Sequence, residues 1–159
     1  MTPYQRMFGS GPLLLLLVLV LIVGAVELQK ITGLPRPELS LPLRLGLTGV
    51  VLVVGGTVII QCFRTLSLRK RGRELVTTGP YHYVRHPLYT AVFLTAGLAV
   101  FFITQTYFAL LAIAFMFLAG HISVRSEERR MEQHFGQAWR DYAQRTPRFF
   151  PRPMSRQGN

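Results

Sequence analysis

Cysteine and acidic side chains are the scarce components of this 159-residue sequence. Its single cysteine, Cys62, excludes an internal disulfide and has no Cys or His partner at a metal-binding spacing. Only seven Asp and Glu stand against 18 Lys and Arg, so the formal net charge is +11, yet half of the residues are hydrophobic. This combination is typical of a membrane protein with basic loops. Once the apolar stretches are assigned to the membrane, no soluble basic domain remains to bind nucleic acid.

Four apolar stretches predict an all-α, polytopic membrane protein, because each approaches the roughly 20 residues that a helix needs to cross a bilayer. The first lacks a small-x-small cleavage site, and we interpret it as a retained helix rather than a signal peptide. A three-residue turn, Thr104–Thr106, joins the last two stretches into a tight hairpin. Small residues such as Gly97 and Ala112 permit close packing of that hairpin. The predicted spans cover about residues 12–28, 43–63, 88–104 and 107–124.

Basic residues are concentrated at one end of the predicted bundle. They lie in the connector between the second and third spans, residues 64–87, and in the tail after the fourth span, residues 125–159. The positive-inside rule therefore predicts that both termini are cytoplasmic. The short chain favours a prokaryotic cytoplasmic membrane, and we treat residues 1–159 as one membrane domain.

The tail is predicted to begin with an amphipathic cytoplasmic helix from about Arg125 to Arg145. Thr146-Pro147 should end this helix, and the two large apolar side chains at 149 and 150 predict that the last part docks onto the bundle. The helical phase places Glu127 toward the interior and turns Glu128 about 100° away, so Glu127 is the acid expected to face a buried site. The side chains predicted to share the interior face are Glu127, Met131, Phe135, Trp139 and Tyr142.

The connector is the region richest in residues suited to ligand binding. Pro87 fits the first turn of the third span, where its missing N–H costs nothing. Arg85 and His86 then precede a helix N-terminus, a position with backbone donors and a favourable field for an anion. Four rings within six residues are expected to line a pocket for a flat ligand: Tyr81, His82, Tyr83 and His86.

Two motifs carry a resemblance to a known family. The first is Leu75-Val76-x-x-Gly79-x-Tyr81-x-x-x-Arg85-His86-Pro87-x-Tyr89. The second is Glu127-Glu128 followed by Phe135-Gly136, Tyr142, Arg145 and Pro147. Together they resemble the signature of the isoprenylcysteine carboxyl methyltransferase family, over about residues 73–151. Members of that family are integral membrane enzymes that transfer a methyl group from S-adenosylmethionine to lipid-borne groups.

The resemblance implies a cytoplasm-facing S-adenosylmethionine site and a lipid-like or prenylated small-molecule substrate, with membrane lipids as further partners. It implies catalytic roles for Glu127 and Arg85, and we add Arg125 as a further candidate. Catalysis in such a site would rest mainly on alignment of the acceptor with the activated methyl group. By position, the cofactor contacts fall on Arg73, Glu74, Leu75, Val76, Tyr81, His86, Pro87, Leu88, Tyr89 and Glu127.

One position departs from the family pattern. In the eukaryotic prenylcysteine enzymes, an arginine four positions before the first acid holds the substrate carboxylate, and here that position is Ser123. Arg125 lies two residues further on, at a different side of the helix. The acceptor therefore remains open between oxygen, nitrogen and sulfur nucleophiles. Two other functions are retained as alternatives: an NADPH-dependent membrane reductase of the sterol-reductase type, and a non-enzymatic membrane scaffold.

Overall fold

The computed structural model describes residues 11–67 and 73–151. Across these residues the backbone forms six helices and no strand, and four of the helices are long and apolar enough to cross a membrane. The predicted all-α, polytopic fold with four spans is therefore confirmed. In chain order the helices are α1 (Gly11–Thr32), α2 (Leu41–Thr65), α3 (Pro80–Tyr83), α4 (Pro87–Thr104), α5 (Phe108–Phe135) and α6 (Gln137–Arg145).

The helices are longer than the apolar stretches from which they were predicted. The difference is largest for α5, which continues to Phe135. Hydropathy marks only the apolar part of a helix, whereas the backbone hydrogen bonds continue through the polar residues that follow. As a result, α5 carries the acid pair on the same rigid rod as the fourth span. Part of the predicted orientation rests on basic residues that lie outside the described ranges: Arg6, Arg69, Lys70, Arg71, Arg152 and Arg156.

The predicted hairpin of α4 and α5 forms the centre of the bundle. Gln105 turns the chain with a φ of 53°, and its N–H donates to the carbonyl of Phe101 at 2.8 Å. Gly97 permits the close approach of the two helices, because a Cβ there would run into the side chain of Ile113. The tight packing expected from the small residues is thus present.

The two outer helices pack on opposite sides of this hairpin. Helix α2 lies against α4, and α1 lies mainly against α5. The core between α1, α4 and α5 is apolar and includes Leu14, Phe93 and Met116. At the end of the bundle opposite the acid pair, the guanidinium of Arg44 donates to the carbonyls of Phe102 and Ile103, the last turn of α4. The hairpin is therefore fixed at its far end, and the site lies at the near end.

The tail differs from the single amphipathic helix predicted from its sequence. Gly136 has a φ of 54°, a conformation that favours glycine, and it ends α5 before α6 begins. The helical phase therefore does not continue across this residue. Helix α6 buries Trp139 and Tyr142 and ends at Arg145, before Thr146-Pro147 as predicted.

Candidate functional site

The connector and the end of the tail are joined through their backbones. We call residues 146–151 the tail strap. The N–H of Arg85 donates to the carbonyl of Pro147 at 2.8 Å, and the N–H of His86 donates to the carbonyl of Arg148 at 2.9 Å. The hydroxyl of Thr90 donates to the carbonyl of Phe149 at 3.0 Å. The strap therefore uses the backbone N–H groups of the two residues that precede α4.

Glu128 is the centre of the polar contacts beneath the strap. Its residue is 8 % exposed, and Arg85 and His86 each place a side-chain nitrogen 3.2 Å from its Oε1. Arg148 approaches from the strap, with Nη2 2.7 Å and Nε 3.0 Å from Oε2. One buried carboxylate thus joins α5, the connector and the tail strap, and the two arginines compensate its charge.

The prediction that Glu128 turns away from the interior is wrong, because Glu128 is buried and Glu127 is only half-buried. The prediction took its helical phase from residues after Glu128. Of these, Met131 and Phe135 lie on α5 but are only partly buried, whereas Trp139 and Tyr142 belong to α6 beyond the break at Gly136. The residues before Glu128 give the correct phase, since the buried positions of α5 recur every three or four residues. They are Ala109, Ala112, Met116, Gly120, Val124 and Glu128.

Glu127 faces α4 instead. The hydroxyl of Tyr89 donates to its Oε1 at 2.9 Å. The ring of Tyr89 stacks between those of His86 and Phe93, at centroid distances of 5.8 and 6.1 Å. The first motif therefore reaches both acids, through Tyr89 to Glu127 and through His86 to Glu128. The structure brings together Arg85, His86, Tyr89 and Glu127, four of the predicted site residues.

Helix α6 is held against α3 and the connector. The hydroxyl of Tyr142 donates to the carbonyl of Tyr81 at 2.7 Å. Burial raises the pKa of Tyr142 to about 12, although the charge of Arg85 acts in the opposite direction. The guanidinium of Arg85 also lies 5.9 Å from the centre of the Trp139 ring. These contacts place the tail helix directly beside the motif residues.

Arg148 is a site residue that the sequence did not reveal, because its partners are distant in the chain. Its Nη1 lies 3.1 Å from Nε2 of His121 on α5. The hydrogen bond to Glu128 raises the pKa of Arg148, with burial opposing it. The apolar pair beside it predicted docking of the strap, and Phe149 is indeed buried, while Phe150 is 57 % exposed.

Other predicted site residues lie outside this cluster. Arg73 and Glu74 are exposed, and Arg125 is exposed and takes no part in the contacts that join Glu128, Arg148 and His121. Pro87 is buried at the start of α4, where it was expected. The cofactor roles assigned by position to these residues, and to Leu75, Val76, Tyr81 and Leu88, stay predictions.

The four rings of the connector do not line one pocket, contrary to expectation. Tyr81 is buried beneath α6, whereas His82 and Tyr83 are exposed and lie on the α2 side of the connector. His86 points the other way, toward Glu128 and Tyr89. A four-residue helix, α3, rotates successive side chains by about 100° and so separates them.

A large apolar groove lies between α2 and α4, with a volume of about 820 Å³. We call it the α2–α4 groove. Its walls are aliphatic side chains of both helices, such as Val54 and Leu94, and Phe149 of the strap closes one side. Its polar lining is concentrated at the end near the connector, where Gln61, His82 and Thr90 contribute. Among the described residues, no three His, Cys, Asp or Glu side chains are grouped as metal ligands.

Comparison with known proteins gives one family and two relatives. The family model described as phospholipid methyltransferase matches residues 43–138. The chain is 40 % identical over 111 residues to the nickel-cobalt-cadmium resistance protein NccN of Alcaligenes xylosoxydans xylosoxydans, which covers 69 % of this chain and 50 % of that protein. It is 39 % identical over 111 residues to the cobalt-zinc-cadmium resistance protein CzcN of Cupriavidus metallidurans, covering 69 % and 49 %. The chain thus spans about half the length of these relatives, whose names state metal resistance and no reaction.

Proposed function

Because this chain belongs to the phospholipid methyltransferase family, we propose that it transfers a methyl group from S-adenosylmethionine to a lipid-like membrane substrate. The proposed reaction takes place at the basic, cytoplasm-facing end of the bundle. The resemblance to isoprenylcysteine carboxyl methyltransferases agrees with the family match in reaction type. Both leave the acceptor unnamed.

One observation supports this proposal more than any other: the two motifs, far apart in the chain, meet at the acid pair. Tyr89 reaches Glu127 at 2.9 Å and His86 reaches Glu128 at 3.2 Å, across about 40 residues of intervening chain. A plain membrane anchor has no need of an acid cluster at the membrane boundary, where buried charge is costly. The meeting point is therefore the best candidate for a functional centre.

The residues present fit a cationic cofactor with an amino acid end. Glu127 offers a carboxylate oriented by the Tyr89 hydroxyl, and a carboxylate is the natural partner of an ammonium group. Glu128 is a poorer candidate, because it is buried beneath the strap, between Arg85 and Arg148. When bound, S-adenosylmethionine supplies an activated methyl group. The residues of the chain would then bind the cofactor, orient the acceptor toward the methyl group and exclude water from the site.

The α2–α4 groove supports a lipid-like acceptor. Its aliphatic walls lie within two membrane spans, so its natural contents are hydrocarbon chains. Its polar residues lie at one end, which suits an amphiphile whose head group points toward the connector. Thr90 and Phe149 stand between this end and His86, so the head group would approach the acid pair beside the strap.

The first test is calorimetric titration of the detergent-purified protein with S-adenosylhomocysteine, with NADPH as a parallel titrant. We expect S-adenosylhomocysteine alone to bind, and Glu127→Gln to weaken its binding about tenfold, the loss of one charge-assisted hydrogen bond. Glu132→Gln is the matched control, since Glu132 is exposed on the same helix. Transfer of a labelled methyl group to extracted membrane lipids would then identify the acceptor.

Other outcomes contradict the proposal in distinct ways. Binding of NADPH alone would assign the protein to the reductase class. If folded protein bound neither compound, the scaffold function would be favoured. Equal affinity of wild type and Glu127→Gln for S-adenosylhomocysteine would leave the reaction type standing but remove Glu127 from the site.

A further inference from the structure

His121 and Arg148 form a contact that the proposed reaction does not use. Arg148 Nη1 lies 3.1 Å from Nε2 and 3.5 Å from Nδ1 of His121. These two similar distances put the guanidinium across the imidazole rather than at one lone pair. The same guanidinium donates hydrogen bonds to Oε2 of Glu128 through Nε and Nη2. Arg148 is thus held between a carboxylate and an imidazole.

Arg148 also belongs to the tail strap, and its neighbours attach the strap to the connector. The carbonyls of Pro147, Arg148 and Phe149 accept hydrogen bonds from Arg85, His86 and Thr90. The contacts of the Arg148 guanidinium with Glu128 and His121 add to these hydrogen bonds in holding the strap over His86. The ring of Phe149 lies 5.9 Å from that of His86 and completes the cover.

We propose that Arg148 is a positioning residue that holds the tail strap closed over the acid pair, and that it does so only while His121 is uncharged. The face of a neutral imidazole attracts the guanidinium that lies across it. A protonated imidazole loses this attraction and places a second cation at 3.1 Å. Protonation of His121 therefore opens the strap.

The surroundings of His121 leave its charge to act on Arg148. On its own helix the facing charges are Glu128, which Arg148 already engages, and Arg125, one turn further on and exposed to solvent. The connector presents Arg85 and His86, and both contact Glu128. From α4 the nearest titratable group is Tyr89, which is paired with Glu127. Residues 12–23 of α1 have only apolar side chains and contribute no titratable group.

His86 responds to protonation in the opposite sense. Its Nε2 faces the Glu128 carboxylate, so a charged His86 strengthens the cluster. A charged His121 weakens it. The two histidines therefore make opposite predictions, and single substitutions separate them.

The strap can be observed with a spin label, because the chain has one cysteine. In a Cys62→Ala background, Pro151→Cys puts the label at an exposed position at the end of the strap. Electron paramagnetic resonance spectra recorded from pH 8 to 5.5 then give the ratio of mobile to immobile label. One linked proton changes this ratio by at most about tenfold per pH unit.

We expect the mobile fraction to rise on acidification with His121 in place and to stay low at every pH in His121→Gln, whose amide oxygen accepts from Arg148 without titrating. His121→Phe, which retains a neutral ring, is the second variant should the first fold poorly. His86→Gln and the exposed-histidine control His134→Gln should keep the pH dependence. Arg148→Gln should give a mobile strap at every pH.

Three outcomes would overturn the inference. They are an immobile strap at both pH limits in the wild type, an unchanged pH dependence in folded His121→Gln or His121→Phe, and a pH dependence abolished by His86→Gln. The consequence for the reaction rests on the proposed function: affinity for S-adenosylhomocysteine should fall with pH in the wild type and not in His121→Gln. Failure of S-adenosylhomocysteine to bind at any pH would refute the proposed function, whereas the label reports on the strap directly.

Discussion

Replacing Glu128 by Gln tests the centre of the site most directly. The substitution keeps the size of the side chain and one acceptor oxygen but removes the charge that faces Arg85, His86 and Arg148. Removing one partner of a buried ion pair costs about 3–5 kcal/mol, because the remaining charge is left uncompensated. Arg148 is 29 % exposed and water will screen it in part, so we expect about 3 kcal/mol. For a chain of this size that corresponds to a fall in Tm of roughly 6–12 °C.

Thermal unfolding in detergent, followed by circular dichroism, measures this difference. The matched control is Glu132→Gln on the same helix, because Glu132 pairs with Arg140 at 3.4 Å and both side chains are about half exposed. Such surface pairs contribute below about 1 kcal/mol. A double variant with Arg148→Gln completes the cycle, and its loss should be smaller than the sum of the single losses.

Equal losses of Tm in Glu128→Gln and Glu132→Gln would refute the reasoning. They would mean that the carboxylate of Glu128 contributes no more than an exposed one, and that backbone hydrogen bonds alone hold the strap. Strict additivity with Arg148→Gln would refute the narrower claim that these two side chains act on each other. Both results concern stability and are independent of any activity.

Three further predictions concern packing, pH and the groove. Gly97→Ala should cost about 1–3 kcal/mol in thermal unfolding by forcing α4 and α5 apart, whereas Gly56→Ala, which meets no atom within 4 Å, should not destabilise. Because burial raises the pKa of Tyr142 to about 12, its neutral form contributes stability that is complete below about pH 10 and lost as pH rises toward 12; alkaline titration of Tyr142→Phe should lack this loss. Val54→Trp should fill the α2–α4 groove and reduce retention of phosphatidylglycerol in native mass spectra, while Val53→Trp, which is 69 % exposed and outside the groove lining, should retain it.

The four spans and their hairpin could be predicted because their signals are local. The apolar residues of a membrane span predict it directly. Two helices joined by a three-residue turn must pack side by side, because so short a turn cannot separate them. The start of α4 at Pro87 and the end of α6 before Thr146-Pro147 are likewise properties of adjacent residues. Such features need no knowledge of the rest of the chain.

The prediction of one continuous helix in the tail was wrong, although the sequence contains a local signal for a helix end. Gly136 followed an apolar helical pattern and was a candidate helix end. The prediction instead carried one helical phase from Glu127 across Gly136 to Trp139 and Tyr142. In the structure Trp139 and Tyr142 are buried residues of α6, which is a separate helix. The buried residues earlier in α5 give the correct phase, because Gly120, Val124 and Glu128 follow one another at intervals of four residues.

The contacts of the strap could not be predicted by any local argument. Arg85 and Pro147 are far apart in the chain, and their backbone hydrogen bond forms only once α4, α5 and α6 have folded back on one another. The guanidinium of Arg148 is one of many in a basic tail, and nothing in its neighbours distinguishes it. Its partner Glu128 becomes a partner through the phase of α5 and the docking of the connector together.

The paired acids gain different roles from their positions on one rigid helix. Adjacent residues on a helix point about 100° apart, so Glu127 and Glu128 address different neighbours. Glu128 is held by the connector and the strap, and its charge stabilises their meeting. Glu127 turns toward α4, where the Tyr89 hydroxyl orients it. A conformational change of the strap would therefore act first on Glu128 and reach Glu127 through the backbone of α5 and the stacked rings of His86 and Tyr89, which is how strap closure and cofactor affinity become linked in the proposed function.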